Sequence, residues 1–231
     1  MRKESIEELL VEVKEIFTII GSHKKVSRPK VKSILEHLRS CLEYSAQDIN
    51  AKFKVPKEKI YFPYAKNRDE FEKSLKRNLP NLESIFPDIY KEILLVQNFE
   101  CGDDWLIRLC ELTNSAKHKD AIAIHKDEEL IKSIDIEAAG FRFARLGGNC
   151  SNIRFSNNRV NGVLIDDFVY DNGKIEVTKL GETPIHFRIS KDRKIIVGDN
   201  QIDLLPFLEN CIKNTEIFVM RLYKILDSQM C

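Results

Sequence analysis

The chain lacks most of the features that declare a function outright. It has no excess of either charge: 37 lysines and arginines stand against 36 aspartates and glutamates in 231 residues. A generic nucleic-acid binder works through a broad basic field, so any nucleic-acid contact here has to be local. No apolar run is long enough to span a bilayer, so no membrane partner is expected. The opening "MRKESIEELLVEVKEIF" carries glutamate throughout and reads as an amphipathic helix, not an export signal. The six cysteines are scattered and form no CxxC pair, which argues against a zinc knuckle or a redox motif. They read as reduced thiols, several of them in the core, in a cytoplasmic protein. "NCS" at 149–151 fits a glycosylation sequon, but without an export signal it is discounted. No Walker loop, GxGxxG fingerprint, GxSxG elbow or HExxH helix occurs, and the expectation is no metal and no cofactor.

What is present is a globular composition, 43% apolar and 32% charged, in a length that suits one large domain or two small ones. Ile6, Leu9, Leu10, Val13, Ile16, Phe17 and Ile20 share one helical face, ended by Gly21-Ser22. A basic connector, "HKKVSRPKVK", leads to a second helix that starts near Pro29 and carries Val31, Ile34, Leu35, Leu38, Leu42, Ser45 and Ile49 towards Phe53. "KVPKEKIYFPYAKN" reads as a loop broken by Pro56 and Pro63. "RDEFEKSLKRNL", "ESIFPDIYKEILLVQNF" and "DDWLIRLCELTNSAKHK" predict three more helices, the last capped by Asp103 or Asp104.

From about residue 135 the period changes to two. "FRFARL", "NIRFS", "GVLIDDFVY", "KIEVTKL", "IHFRIS" and "KIIVG" are strand-like, with turn signals at Gly147-Gly148, Asn157-Asn158, Asn161-Gly162, Asn172-Gly173 and Lys191-Asp192. Asn172-Gly173 is a type I′ hairpin signal. A last helix carries Ile202, Leu205, Leu208, Ile212, Phe218, Val219, Leu222 and Leu226, too broad an apolar face to stand alone. The predicted fold is α+β: a helical bundle over 1–134, an antiparallel β-meander inserted at 135–200, and a C-terminal helix at 201–231 that packs back on the bundle.

The octet "LTNSAKHK" at 112–119 is the place where chemistry shows. Asn114 and His118 stand four residues apart, so a helix points them the same way. An amide beside an imidazole can hold a phosphate or a ribose hydroxyl, and His118 can move a proton near neutral pH. The plainer reading makes Asn114 a helix-to-loop bond and His118 a C-terminal residue that favours the helix dipole. "WLIRLCELTNSAKHK", preceded by "HLRSCLEYSA" and "YFPYAKNRDEFEKSL", resembles bacterial helical proteins of the HEPN superfamily. These carry a phrase of the form L-x-x-L-x-N-x-x-K-H before a β-rich half, matched here by Leu109, Leu112, Asn114, Lys117 and His118. The resemblance covers roughly residues 30 to 125. It implies a HEPN-like bundle, a possible homodimer and a bacterial stress or phage-defence setting. It also implies metal-independent ribonuclease chemistry, with His118 and Asn114 as catalytic residues and RNA as substrate. The arginine of that signature falls on Thr113, which carries no charge and cannot replace it at a phosphate. Arg108 lies on the same helix, but too far from His118 along the axis to substitute. Lys117 and Arg39 remain as binding residues beside Thr113, Arg39 through a dimer mate. Two readings therefore stand: a non-catalytic binding or assembly subunit whose protein partner the sequence does not name, and a ribonuclease.

Other candidates are weaker. The basic run at 23–32 fits RNA phosphates or, more commonly, a solvated connector. His125 sits near His118 in sequence. Asp166, Asp167 and Asp171 are carboxylates in a strand and turn, with no partner spacing for a cation. Trp105 and Tyr90 read as bundle core before base-stacking platforms.

Overall fold

The structure, a computed structural model, describes residues 2–22, 26–118, 122–172, 174–198 and 201–228, without the side chains of Lys117 and His118. Its elements run in chain order: α1 (Lys3–Ser22), α2 (Arg28–Asn50), α3 (Arg68–Asn78), α4 (Leu82–Ile85), α5 (Pro87–Leu95), α6 (Asn98–Cys101) and α7 (Trp105–His118). The strands follow: β1 (Ile124–Ala138), β2 (Phe141–Gly147), β3 (Ile153–Phe155), β4 (Arg159–Val160), β5 (Val163–Leu164), β6 (Asp167–Asp171), β7 (Lys174–Lys179), β8 (Ile185–Val197) and β9 (Ile202–Asp203). α8 (Leu204–Ser228) ends the chain. The protein is mixed α+β, with antiparallel strand pairs and a C-terminal helix. It divides into two compact units: Met1–His125 with Ile195–Cys231, and Lys126–Lys194.

The first unit is helical. α2 packs on α1, α7 and α8, and α8 packs in addition on α1, α5 and α7. This explains why α2 buries more than one stripe. Cys41, Ala46 and Asp48 lie inside together with Val31, Ile34, Leu35, Leu38, Leu42 and Ile49. A helix in contact with neighbours on several sides has no continuous wet face. α8 returns to the bundle as its apolar face requires, burying Leu208, Ile212, Phe218, Val219, Leu222 and Leu226. Asp48, 2% exposed, accepts hydrogen bonds from the Arg2 backbone N–H at 2.6 Å, from Arg2 Nη1 at 3.0 Å and from the Tyr223 hydroxyl at 2.6 Å. That network joins the start of α1, the end of α2 and the end of α8 around one carboxylate.

The single helix expected over 83–99 is three short ones, α4, α5 and α6. Phe86 precedes Pro87 and takes φ −136°, ψ 69°, because the proline ring disfavours a helical residue before it. Pro87 then opens α5, where a missing N–H costs nothing. α2 stops at Asn50, short of Phe53, and Asn50 turns its amide to the loop that follows: Nδ2 donates to the Lys57 carbonyl at 2.8 Å and Oδ1 accepts from Lys57 N at 3.1 Å.

The second unit is a β structure with its own core of Ile134, Ile136, Ala138, Ile165, Phe168, Tyr170 and Ile185. Phe155 and Phe168 stack with centroids 4.5 Å apart, flanked edge-on by Phe143 and Phe187. β1 pairs with β2 and with β8, while β3, β6 and β7 form a separate sheet. The β6–β7 hairpin pairs Asp171 with Lys174, leaving a two-residue loop at 172–173. Asn172 takes φ +45°, as that turn needs, and Gly173 lies outside the described residues. Two boundaries differ from the expectation. The strand region begins at Ile124, and the unit boundary falls after His125, not after residue 134. The stretch "HKDEELIK" has no apolar alternation because charged pairs hold it: Asp127 with Arg193 at 2.7 Å and Glu129 with Lys191 at 3.0 Å. Lys191-Asp192 is therefore not a turn, and β8 runs straight through it.

Candidate functional site

The loop at 51–67 builds one wall of the candidate site, and four polar side chains fix its course. Asn50 holds Lys57, Asn78 Oδ1 accepts from Tyr61 N at 2.9 Å, and Glu43 Oε2 accepts from Phe62 N at 2.7 Å. Gln97, 1% exposed, donates to the Pro63 carbonyl at 3.2 Å and to the Ile93 carbonyl at 3.0 Å. A loop rich in backbone donors and acceptors needs such partners to lie against a core. Phe62 then seats on Phe218, edge-on at 5.4 Å. The result places Ile60, Tyr61 and Tyr64 beside α2 and α7.

Between that loop, α2 and α7 lies a groove of about 590 Å³, lined among others by Glu36, His37, Arg39, Glu43, Gln47, Tyr61 and Asn114. The lining positions Glu36, Ser40, Glu43 and Gln47 are spaced as one ridge of α2. His37 Nε2 lies 3.4 Å from Glu12 Oε2. Asn114 stands exposed on α7, close enough to Tyr64 for its amide to act on the phenol.

Arg39 lines this groove in the same chain as Asn114. Its Nη2 lies 2.5 Å from Glu43 Oε1, its Nη1 contacts the Cys110 sulfur, and its guanidinium carbon stands 4.9 Å from the centroid of the Tyr64 ring. Only 15% of its side chain meets solvent, against 20% for Glu43. Burial pulls the guanidinium pKa down, but its neighbours, Cys110 and Glu43 first among them, raise it overall, and Glu43 is the anion that faces it at neutral pH. Burial pushes the Cys110 thiol up to about 11 despite Arg39, so at neutral pH it is a protonated thiol and not a nucleophile. Burial also raises the Tyr64 phenol, helped by Cys110 and opposed by Arg39 and Asn114. Chemically this is a closed cluster of one cation, one anion, one aromatic face and one thiol, with an amide at its edge.

The other predicted residues divide. Thr113 is 1% exposed and donates its hydroxyl to the Leu109 carbonyl at 2.6 Å, so its hydrogen bond is spent within α7. Lys117 and His118 fall on the last turn of α7, but their side chains lie outside the described residues. Residues 23–25 of the basic connector lie outside them as well. Arg108 pairs at 2.6 Å with Asp104, the residue just before α7. Asp103 caps α7, its Oδ1 accepting from Trp105 N at 2.8 Å. Trp105 and Tyr90 are core residues. His125 is exposed at the start of β1. Asp166 accepts from Gly181 N and Ile185 N, Asp167 from Asn157 N and Asp171 from Asn152 N. These carboxylates staple turns, and among the described residues no group of His, Cys, Asp or Glu could hold a metal ion. No described helix is long and apolar enough to cross a membrane.

Sequence reasoning missed Glu43, Tyr64 and Cys110 as partners of Arg39. Glu43 carried a signal, since it lies four residues after Arg39, the spacing of a helical ion pair. Tyr64 and Cys110 carried none, because the path of the loop brings Tyr64 to Arg39 and the packing of α7 on α2 brings Cys110. Comparisons with protein families, curated proteins and solved structures give no match for this chain.

Proposed function

We propose that the chain is a HEPN-like protein that works by binding, as a recognition or assembly subunit, and does not cut RNA. One observation carries this reading: the Arg39 guanidinium, which lines the groove together with Asn114, is engaged by Glu43, Cys110 and Tyr64. A phosphate in a cleavage transition state needs an arginine whose donors are free to follow the developing charge. Here Nη1 and Nη2 already have partners, and the Glu43 carboxylate opposes the guanidinium's field. Thr113, at the position of the signature arginine, is buried with its hydroxyl engaged. The groove remains as a surface that can hold a ligand without transforming it. The bacterial stress or defence setting rests on the resemblance.

The ribonuclease reading keeps one observation in its favour: Asn114 is exposed at the groove, one helical turn before His118. Incubation of labelled RNA with wild type and with His118→Ala in the presence of a chelator tests the choice. The binding reading expects background cleavage from both. Cleavage by wild type that His118→Ala abolishes would overturn it.

A further inference from the structure

The loop that walls the groove begins with residues the groove does not use. Lys52, Lys54, Lys57 and Lys59 stand here against one carboxylate, Glu58, in a chain whose net charge is only +1. Among the described residues none of the four lysines is in an ion pair. The segment is built to protrude. Asn50 clamps both the N–H and the carbonyl of Lys57, which closes residues 51–56 into a loop. Phe53 turns inward, edge-on to Phe86 at 5.4 Å. Lys57 Nζ donates to the Arg77 carbonyl at 2.6 Å, and Lys59 Nζ stands 5.8 Å from the centroid of the Tyr61 ring. Both partners are neutral, so neither charge is compensated. Residues 54–59 are all exposed, and Val55, flanked by Lys54 and Pro56-Lys57, is 86% exposed, more than any other large apolar residue described.

Nucleic acids and acidic proteins hold their anions at fixed points, which planar arginine forks match. Every cation in this segment is a lysine, a point charge on a flexible stem, set on an outward loop. Such charges suit anions that can move to meet them. An exposed valine among lysines gains nothing from a phosphate backbone. At a bilayer it enters the boundary between headgroups and acyl chains while the lysines stay at headgroup level. An anionic leaflet attracts basic clusters of this size, and the Asn50 and Phe53 contacts order the loop beforehand, so little entropy is lost on contact. We propose that the loop at 52–59 docks the chain reversibly on an anionic lipid surface, with Val55 as the inserted residue. The contact is peripheral and needs no spanning helix.

The test sediments the full chain with phosphatidylcholine vesicles, with and without about one-third phosphatidylglycerol. Wild type binds the anionic vesicles and not the neutral ones, and the binding falls as salt is raised. Each lysine near the leaflet contributes about five-fold, so Lys54→Gln/Lys59→Gln weakens binding about 25-fold, while its circular dichroism melt stays that of the folded chain. At constant charge, Val55→Leu tightens the binding and Val55→Ser weakens it, a split that a purely electrostatic partner does not produce. No sedimentation with anionic vesicles, binding unchanged by the lysine pair, or equal binding by the two Val55 variants would overturn the proposal. So would a single-stranded oligoribonucleotide that binds through Lys54 and Lys59 where the vesicles do not, and the loop would then be a nucleic-acid surface. The result is independent of the cleavage assay, because neither Asn114 nor His118 takes part.

Discussion

Arg39→Met removes the guanidinium and keeps most of the side chain's length. In the folded chain it leaves Glu43 with the Phe62 backbone bond but without its counter-charge, and takes a cation from the face of Tyr64. Losing one partner of a fully buried pair costs about 3–5 kcal/mol. Arg39 and Glu43 keep 15% and 20% of their side chains in water, which lowers that figure. The stacked cation adds about 1 kcal/mol, and the methionine returns some apolar packing. A net loss of about 3 kcal/mol follows, which for a unit of this size lowers Tm by roughly 6–12 °C. Urea unfolding followed by circular dichroism measures it. Arg39→Met/Glu43→Gln supplies the control: its loss should fall short of the sum of the two single losses, because the partners are coupled. If Arg39 were a free cation held ready for a ligand, its removal would change stability by less than about 0.5 kcal/mol. That result would refute the closed cluster.

Three further outcomes follow from the packing. Tyr223→Phe deprives buried Asp48 of one of its three hydrogen bonds and should cost about 1–3 kcal/mol in a denaturant titration; an unchanged midpoint would contradict the network. In Gly148→Ala the new Cβ would stand 1.5 Å from the Ile131 carbonyl oxygen, so the β unit should lose its dispersed amide NMR signals, at a cost above about 4 kcal/mol; a stable, well-dispersed variant would show the backbone free to move. Burial pushes the Cys41 thiol up to about 12 and that of Cys110 to about 11, each from an ordinary 9.0. Folding therefore retains protons that the unfolded chain releases above pH 9, so stability is whole below that pH and falls as pH rises towards 11 and 12. Urea midpoints at pH 8 and pH 10 should show the fall, and Cys41→Ala should flatten it; an equal fall in the variant would contradict the assignment.

The elements with one clean period were legible in the sequence. α1, α2 and α8 follow their apolar stripes, and the hairpin at Asn172-Gly173 follows its turn chemistry. Elements held by charge were not. The first half of β1 is stabilised by Asp127–Arg193 and Glu129–Lys191 across β8, partners more than sixty residues away. No local pattern announces such pairing, and the same ion pairs hid the continuity of β8. The candidate site was half legible. Asn114 and Arg39 stood out, but the arginine was expected to act from a dimer mate, and the structure places it in the same groove as Asn114 and already occupied. What decides its role is the loop at 51–67, whose path depends on Glu43, Asn50, Asn78 and Gln97, each an ordinary polar residue until the loop lies against it.

The most direct test of the central claim is a time course of RNA cleavage in chelator, run side by side on wild type, Asn114→Ala and His118→Ala. Binding without catalysis predicts three coincident traces at the rate of buffer alone. A wild-type rate above that background, lost in either variant, would contradict it and make the Asn114–His118 pair an active site.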